Sequence, residues 1–265
     1  MNIEENRRLL EQRLDRGNFP EVLYKYRTVD QLKMILDNFS FWFASPDTFN
    51  DPFDCSLSEV ESYDLEDAQS HFRLLGITES NIEQALVMFQ SHPEKLNALV
   101  AKAKNEAITQ KGVLALSSTN DDILLWSHYA DYHKGVAVGL ELRKDLDFFL
   151  MPIKINYEES YEPLNYLKNP QQAIIDTLKI KSAQWEYEKE VRVYKSASGL
   201  YQISPDAIKE IRFGIKTSEQ DIQDIKKLCL QKGLTEIAFY KAKKECSKFA
   251  INFDKLPNKQ FKSDS

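Results

Sequence analysis

The sequence predicts an α+β fold in a single domain, with a two-sheet core spanning residues 1–257. Strand-like segments in the second half of the chain are more often adjacent than separated by helices, which favours α+β over a doubly wound parallel sheet. A polar, helix-forming stretch at about 61–109 is interpreted as a helical insertion. The 265 residues are enough to bury one large core. Residues 258–265 are polar and are predicted to form a tail.

Composition and charge narrow the classes of protein that fit. The chain is 42% hydrophobic and 29% charged, with a formal net charge of −6, which is ordinary for a soluble globular protein. The acidic balance argues against a general nucleic-acid or membrane-surface binder, although a local basic groove stays compatible with it. The three cysteines fit neither a disulfide framework nor a metal knuckle. Without a signal peptide or a membrane-spanning run, the expected location is the cytoplasm, away from the membrane.

The N-terminal elements are predicted from periodicity and capping. Residues 2–16 carry a thin apolar stripe at helical spacing. Residues 23–27 alternate as a short strand that Arg27 closes. Thr28, followed three residues later by Gln31, predicts a capping box at the start of a second helix.

An aromatic strand at 39–44 leads into an ordered turn at 45–54. Two prolines and the Asn-Asp-Pro sequence are typical of a fixed turn rather than a floppy linker. We expect the two phenylalanines of the turn to pin it, while Asn50 and Asp54 stay polar.

The later elements are less regular. An apolar run from Gly112 is predicted as a buried strand that ends in the hydroxyls of Ser117, Ser118 and Thr119. A short helix starts at Asp121 or Asp122. Further strands are predicted at 135–142, 152–157, 209–214, 236–240 and 249–253, and further helices at about 170–183 and 218–232.

Residues 185–194 alternate aromatic, charged and β-branched residues and are predicted as one strand. Glu186, Glu188 and Glu190 would then share a face, where like charges raise one another's pKa. This face is either solvated, as on an exposed edge strand, or it looks into a site that uses the charge.

Three strand-borne features, taken in order, resemble the ADP-ribosyltransferases of the Arg–Ser–Glu type: Arg27, the hydroxyls that begin at Ser117, and Glu188-Lys189-Glu190. The resemblance implies an ADP-ribosyltransferase-like core and NAD as the substrate, cleaved between nicotinamide and ribose. Arg27 would bind the pyrophosphate through its bidentate fork and Ser117 would orient the ribose. Glu190 would stabilise the oxocarbenium-like centre and Glu188 would reach the acceptor nucleophile.

The other residues assigned to NAD binding are Tyr26, Asn50, Asp54, His128 and Tyr129. In another subclass of these transferases a histidine contacts the ribose and a tyrosine stacks on nicotinamide, roles that His128 and Tyr129 would take here. The sequence departs from the pattern by having Ser-Ser-Thr in place of Ser-Thr-Ser and by the additional Glu186. The acceptor, protein or nucleic acid, is not determined by these residues.

A second resemblance covers more of the chain and rests on four blocks in order. They are residues 24–27, residues 43–54, residues 125–136 with the sequence Leu-Trp-Ser-His-Tyr-Ala, and residues 185–192 with the pattern Trp-x-Tyr-Glu-x-Glu-x-Arg. The chain is similar in these blocks to a bacterial family, the domain of unknown function numbered twenty-nine seventy-one. The resemblance implies an accessory or defence-associated role, such as that of a toxin or a phage-defence effector.

Two alternatives remain open. In a non-catalytic protein-interaction module, the helical insertion would bind a protein partner and Arg27, Asp54, Glu190 and Arg192 would form a buried ion-pair network. In a metal-dependent nuclease, the ligands would come from His128, His133, Asp121, Asp122, Glu188 and Glu190. Geometry separates these readings. An enzyme needs Arg27, Ser117 and Glu190 in one cleft, whereas a scaffold pairs the arginines with the glutamates and has no cavity.

Overall fold

The computed structural model describes residues 2–257, which form one eight-stranded mixed sheet, two two-stranded ribbons and a set of packed helices. The predicted tail at 258–265 lies outside the described residues. The helices are α1 Ile3–Asp15, α2 Val29–Asn38, α3 Leu65–Leu74, α4 Glu79–Ser91, α5 Pro93–Thr109, α6 Ile123–Tyr129, α7 Pro170–Lys179 and α8 Glu219–Gln231. The strands are β1 Val22–Arg27, β2 Ser40–Phe43, β3 Gly112–Ser117, β4 Val136–Glu141, β5 Ile153–Lys154, β6 Asn156–Glu158, β7 Ile180–Ser182, β8 Glu190–Lys195, β9 Gly199–Gln202, β10 Ile208–Phe213, β11 Ala238–Lys244 and β12 Ile251–Leu256.

The predicted mixture of helices and strands is confirmed, but the strands are distributed differently from the expectation. The large sheet has the order β12-β11-β10-β4-β1-β3-β8-β5 and is antiparallel except for the β10–β11 pair. The pairs β2–β9 and β6–β7 form the separate ribbons. Within residues 2–257, one large sheet therefore takes the place of the two predicted core sheets.

The central strand β1 is paired unequally on its two sides, and this positions the site. It pairs with β4 over six residues, from Val22 to Arg27. On its other side β1 pairs with β3 at only one position, where Tyr24 lies opposite Ser117. On the far side of β3, Ser117 lies opposite Glu190 of β8. The C-terminal half of β1 is thus free to part from β3 and leave space between the two strands.

One face of the sheet is covered by helices. The capping box predicted for Thr28 and Gln31 is confirmed at the start of α2, where each residue's side chain accepts from the other's backbone amide. This helix buries Leu32, Ile35 and Leu36, and it packs beside α8 in the main core. The apolar residues of β8, Val191 and Val193 among them, face the same core. Glu190 and Arg192 therefore point to the opposite face of the sheet.

The helices α3, α4 and α5 lie between β2 and β3 in the chain and, together with α7 and the segment before it, form a second core around Phe72, Ile82 and Phe89. A buried ion pair ties them to the rest: Lys104 Nζ on α5 lies 2.6 Å from Glu59 Oε1. No helix within residues 2–257 combines the length and the apolar character that a membrane span requires.

The prediction of a single strand at 185–194 is wrong for its first half. Residues Ala183–Glu188 form a 3₁₀ helix, Lys189 adopts a left-handed conformation with φ 44°, and β8 begins only at Glu190. The three carboxylates do not share a strand face. Glu186 is exposed, whereas Glu188 and Glu190 are buried on either side of the left-handed residue. A 3₁₀ helix has three residues per turn and a strand alternates every two. A segment of only a few residues is too short for the two periods to be told apart from the sequence.

Candidate functional site

A cavity of about 470 Å³, called the main cavity below, opens where β1 and β3 part. This volume lies in the range of small-molecule sites. The cavity brings together all nine residues predicted for the site: Tyr26, Arg27, Asn50, Asp54, Ser117, His128, Tyr129, Glu188 and Glu190. Their individual roles stay predictions.

One wall of the cavity is a buried cluster of carboxylates bridged by Lys181 of β7. Its ammonium nitrogen lies 2.6 Å from Glu188 Oε2, 3.1 Å from Glu190 Oε2 and 3.3 Å from Asp54 Oδ2. Three buried carboxylates on one side of a cavity would repel one another, and a shared ammonium relieves that repulsion.

Arg192 is the second cation of this cluster and is fully buried. Its Nε donates to Glu190 Oε1 at 2.6 Å and its Nη2 donates to Asp54 Oδ2 at 2.6 Å. The Nη1 atom donates to Leu178 O and to Cys55 Sγ, each at 3.1 Å. Since every edge of the guanidinium is engaged, Arg192 holds the turn that contains Asp54 against the strand that contains Glu190.

The two glutamates differ in their pKa. Burial raises the pKa of Glu190, but Arg192 and Lys181 lower it by more, to about 2. For Glu188, burial again raises the pKa, Lys181 lowers it and Glu190 raises it, and the net pKa lies above its ordinary value. Glu190 is therefore ionised at neutral pH, whereas the raised pKa of Glu188 favours its protonated form more than usual.

Strand β1 contributes Lys25 and Arg27 to the cavity, and neither side chain has an ion-pair partner among residues 2–257. Lys25 Nζ donates to the Ala115 carbonyl and Arg27 Nη1 donates to the Tyr26 carbonyl at 3.2 Å. Burial, followed by the charge of Arg27, holds the pKa of Lys25 well below its ordinary value, and burial lowers the pKa of Arg27 to about 10. A bound anion would favour the charged form of both side chains, so this pair is suited to bind one.

Aromatic side chains with engaged hydroxyls complete the cavity. Tyr129 donates to Glu188 Oε1 at 2.6 Å, and Tyr26 donates to the Thr119 carbonyl at 3.1 Å. His128 is exposed at the rim, where its Nδ1 lies 3.1 Å from the Tyr187 hydroxyl. Both His128 and Tyr129 lie on α6, which Asp122 caps by accepting from two backbone amides.

The hydroxyl of Ser117 is committed to local structure. It donates to the Glu188 carbonyl at 2.6 Å and accepts from the Thr119 amide at 3.1 Å. Ser118 likewise donates to the Lys189 carbonyl at 3.1 Å. These bonds hold the backbone on both sides of the left-handed residue and thereby place Glu188 and Glu190, so a role of Ser117 on a ribose would require its bonds to be exchanged.

The turn at 45–54 contributes Asn50 and Asp54, but its two phenylalanines do not act alike. Phe49 lies under the guanidinium of Arg192, with 5.4 Å between the carbon of the guanidinium and the ring centroid. Phe53 is 79% exposed, so the expectation that both rings pin the turn is wrong for Phe53. The ion pair of Asp54 with Arg192 takes over that function.

Features of both the enzyme and the scaffold readings occur together. Arg27, Ser117 and Glu190 line one cavity, as an enzyme requires. Arg192 nevertheless pairs directly with Glu190, as expected for a non-catalytic scaffold, whereas Arg27 is not part of this ion-pair network. For the nuclease reading, no group of three or more histidine, cysteine or carboxylate side chains within the described chain is arranged to hold a metal ion.

Sequence reasoning missed Lys25 and Lys181 as residues of the site. Lys25 has a detectable signal, since it lies two residues before Arg27 on a strand and so shares its face. Lys181 has none, because it lies on the short strand β7 and meets the carboxylates only through the ribbon with β6.

Comparison with known proteins identifies part of the chain. Residues 125–193 match the family described as "Protein of unknown function (DUF2971)". The match confirms the family resemblance, and it spans the third and fourth of the blocks on which the prediction depends. No curated protein and no solved structure gives a significant match to the chain.

Proposed function

We propose that this protein cleaves NAD between nicotinamide and ribose and transfers the ADP-ribosyl group to an acceptor, or to water in its absence. The observation that carries the proposal is the polarity of the main cavity. Lys25 and Arg27, which have no ion-pair partner among residues 2–257, line the same cavity as Glu188 and Glu190. NAD has the same polarity, with a negative pyrophosphate at its centre and a positive nicotinamide at one end.

The charge count of the cavity supports this assignment. In their ordinary charge states, four cationic side chains and three carboxylates line it, which leaves one formal positive charge in a chain whose net charge is −6. NAD carries one net negative charge, so a bound molecule would neutralise the site. Neutralisation matters here, because unpaired charge in a partly buried site is costly.

The substrate can be placed by the chemistry of each wall. The fork of Arg27, with Lys25 beside it, suits the pyrophosphate. The nicotinamide ribose would then lie toward Glu188 and Glu190, and the ring of Tyr129 offers an aromatic face to nicotinamide. The parting of β1 from β3 would be the cleft of an ADP-ribosyltransferase-like core.

In the reaction, the bond between the ribose C1′ and the nicotinamide nitrogen breaks, and nicotinamide leaves as a neutral molecule with the electron pair. Positive charge then develops at C1′. Glu190 is ionised and held by Arg192 and Lys181, so it needs little reorganisation to stabilise that charge electrostatically. Glu188, with its raised pKa, is the carboxylate that would accept the proton of the incoming nucleophile.

The biological setting that we propose is bacterial and intracellular, either as a toxin or as a phage-defence effector. It rests on the family resemblance together with the proposed chemistry, since loss of NAD or modification of an essential molecule would arrest a cell.

The direct test is incubation of the purified protein with NAD, with nicotinamide release followed by chromatography. We expect nicotinamide to accumulate with wild-type protein and to fall to background with the double variant Glu188→Gln/Glu190→Gln. Circular dichroism at the assay temperature would verify that the variant is folded. A folded wild-type protein that neither binds nor consumes NAD would refute the proposal.

A non-catalytic interaction module is the second candidate, because Glu190, Arg192 and Asp54 are paired as a structural network would be. The helices α3 and α4 also expose apolar side chains, including Leu74, Leu75 and Val87, that a protein partner could cover. Under this candidate, Glu190→Gln destabilises the fold and there is no NAD-dependent activity to lose.

A further inference from the structure

A second cavity, of about 690 Å³, adjoins the first. The two share four lining residues: Arg27, Asn50, His128 and Tyr129. The two cavities are therefore adjacent, and these four side chains contact what occupies either one. A transferase needs such an arrangement, since its acceptor must reach C1′ from a site of its own.

The second cavity displays aromatic side chains. Tyr132 is 68% exposed and Trp185 is half-buried, and both line it. Large exposed aromatic rings are suited to stack on planar groups, and base stacking on aromatic side chains is a general means of binding single-stranded nucleic acid.

The backbone that presents Tyr132 is strained. Asp131, Tyr132 and His133 are consecutive left-handed residues with φ of 45°, 52° and 70°, a conformation that costs free energy for residues with a side chain. Hydrogen bonds hold the strained segment: the His133 amide donates to the Trp126 carbonyl at 3.0 Å, and the Lys216 amide donates to the His133 carbonyl at 2.8 Å. These bonds fix the backbone on one side of Tyr132, whose ring stays in solvent at the second cavity.

The polar residues of the second cavity fit a nucleobase. The side-chain amides of Gln31 and Asn50 line the cavity, and the NH₂ group of Gln31, whose oxygen is engaged in the capping box, can donate to an acceptor on a base edge. Because the chain is acidic overall, nucleic acid would be engaged through stacking in this cavity rather than along a broad basic surface.

We propose that the second cavity is the acceptor site and that the acceptor is a nucleobase of single-stranded nucleic acid, an inference that rests on the proposed function. A bond forms between C1′ and a nitrogen or oxygen atom of the base as the bond to nicotinamide breaks. Nicotinamide leaves with the electron pair, and the proton of the acceptor atom passes to Glu188, whose Oε1 accepts a hydrogen bond from Tyr129, a residue that lines both cavities. One NAD and one base thus give one ADP-ribosylated base, one nicotinamide and one proton.

The binding test requires no NAD. A fluorescent single-stranded DNA oligonucleotide of mixed sequence is titrated with wild-type protein, Tyr132→Ala, Tyr132→Phe and Phe249→Ala, and its anisotropy is recorded. Phe249 is a fully exposed aromatic residue outside both cavities and serves as the matched control. We expect Tyr132→Ala to weaken binding about tenfold, the range for loss of one stacking ring, with Tyr132→Phe and Phe249→Ala near wild type. An oligonucleotide that does not bind, or that binds Tyr132→Ala as it binds wild type, overturns the acceptor site.

The transfer test uses labelled NAD with the same oligonucleotide and a bulk protein in one mixture. We expect label on the oligonucleotide, and the ratio of labelled oligonucleotide to released nicotinamide should fall about tenfold in Tyr132→Ala. Label on the protein alone overturns the nucleobase assignment. If the wild type releases no nicotinamide at all, the proposed function fails, and the anisotropy experiment still decides whether the cavity binds a base.

Discussion

Arg192 Nε lies 2.6 Å from Glu190 Oε1, and the two residues are two positions apart on the same strand, β8. Both side chains are buried, so the pair is formed away from water. This contact favours the ionised form of Glu190 in the wall of the main cavity. Arg192 also pairs with Asp54 and thereby fixes the turn at 45–54 beside the cavity. The stability of the fold and the electrostatics of the site therefore depend on the same guanidinium.

Replacement of Arg192 by methionine should destabilise the protein strongly. The change leaves the carboxylates of Glu190 and Asp54 buried with only Lys181 to compensate them, and loss of one member of a buried ion pair costs about 3–5 kcal/mol. Urea denaturation of wild type and Arg192→Met measures the difference. The control is Arg73→Met, which breaks an exposed pair with Glu79 and should stay close to wild type. Equal midpoints for the two variants would contradict the structural role of Arg192.

The contribution of Glu190 to stability should disappear in acid. Its folded pKa, about 2, lies below its ordinary value, so ionised Glu190 stabilises the fold above pH of about 4.5, and this stabilisation is lost as the pH falls toward about 2. Its full size is on the order of 3 kcal/mol. Urea denaturation at a series of pH values should show a weaker acid dependence in Glu190→Gln than in wild type over that interval. Parallel pH curves for the two proteins would show that Glu190 is not the titrating group.

Under the proposed function, Glu190→Gln should lower the turnover of NAD by roughly 10²–10³, the range for loss of one preorganised electrostatic group. Since the variant is also destabilised, nicotinamide release must be measured well below its unfolding midpoint. Glu59→Gln is the matched control, because Glu59 forms a buried ion pair with Lys104 outside both cavities. A loss of turnover that is the same in both variants would assign the effect to stability.

Glu188→Gln should affect transfer to an acceptor more than hydrolysis of NAD. The pKa of Glu188 is raised by burial and by Glu190, so an ionised Glu188 becomes available only as the pH rises above the ordinary range of a glutamate. The rate of transfer in wild type should therefore rise with pH in mildly acidic solution, and Glu188→Gln should lack that rise. Measurement of labelled acceptor and of nicotinamide over the same pH series separates the two reactions. A pH profile that survives in Glu188→Gln belongs to another group.

Arg27→Lys should weaken NAD binding about tenfold, although the charge is retained, because an ammonium cannot form the bidentate contact with a phosphate. Lys25→Met removes the second cation of the same wall and should weaken binding of NAD more than binding of nicotinamide riboside, which lacks the pyrophosphate. Isothermal titration calorimetry of each variant with both ligands measures these effects. Arg212→Lys is the control, since Arg212 is an arginine of the same sheet that lies outside both cavities. Equal affinities of wild type and Arg27→Lys for NAD would remove the phosphate role.

Local signals in the sequence were sufficient where a short segment specifies its own structure. The capping box of Thr28 and Gln31 depends on two side chains three residues apart, and the strand that ends at Arg27 follows from alternation. Alternation failed at 185–188, because a single turn of 3₁₀ helix can carry the same pattern of aromatic and charged residues as a strand. What distinguishes the two there is the left-handed Lys189, whose conformation is stabilised by the hydroxyls of Ser117 and Ser118 from another strand.

By itself the sequence singled out nine residues as a possible site, and the fold places all nine around one cavity, while their roles stay predictions. Only the tertiary structure decided their charge state and their partners. Lys181 reaches Glu190 from the β6–β7 ribbon, outside the sheet that contains Glu190, and Asp54 reaches Arg192 across 138 positions of the chain. Such contacts depend on how distant segments pack, and a pKa depends on burial and on every charge nearby, so neither is encoded in the spacing of residues along the chain.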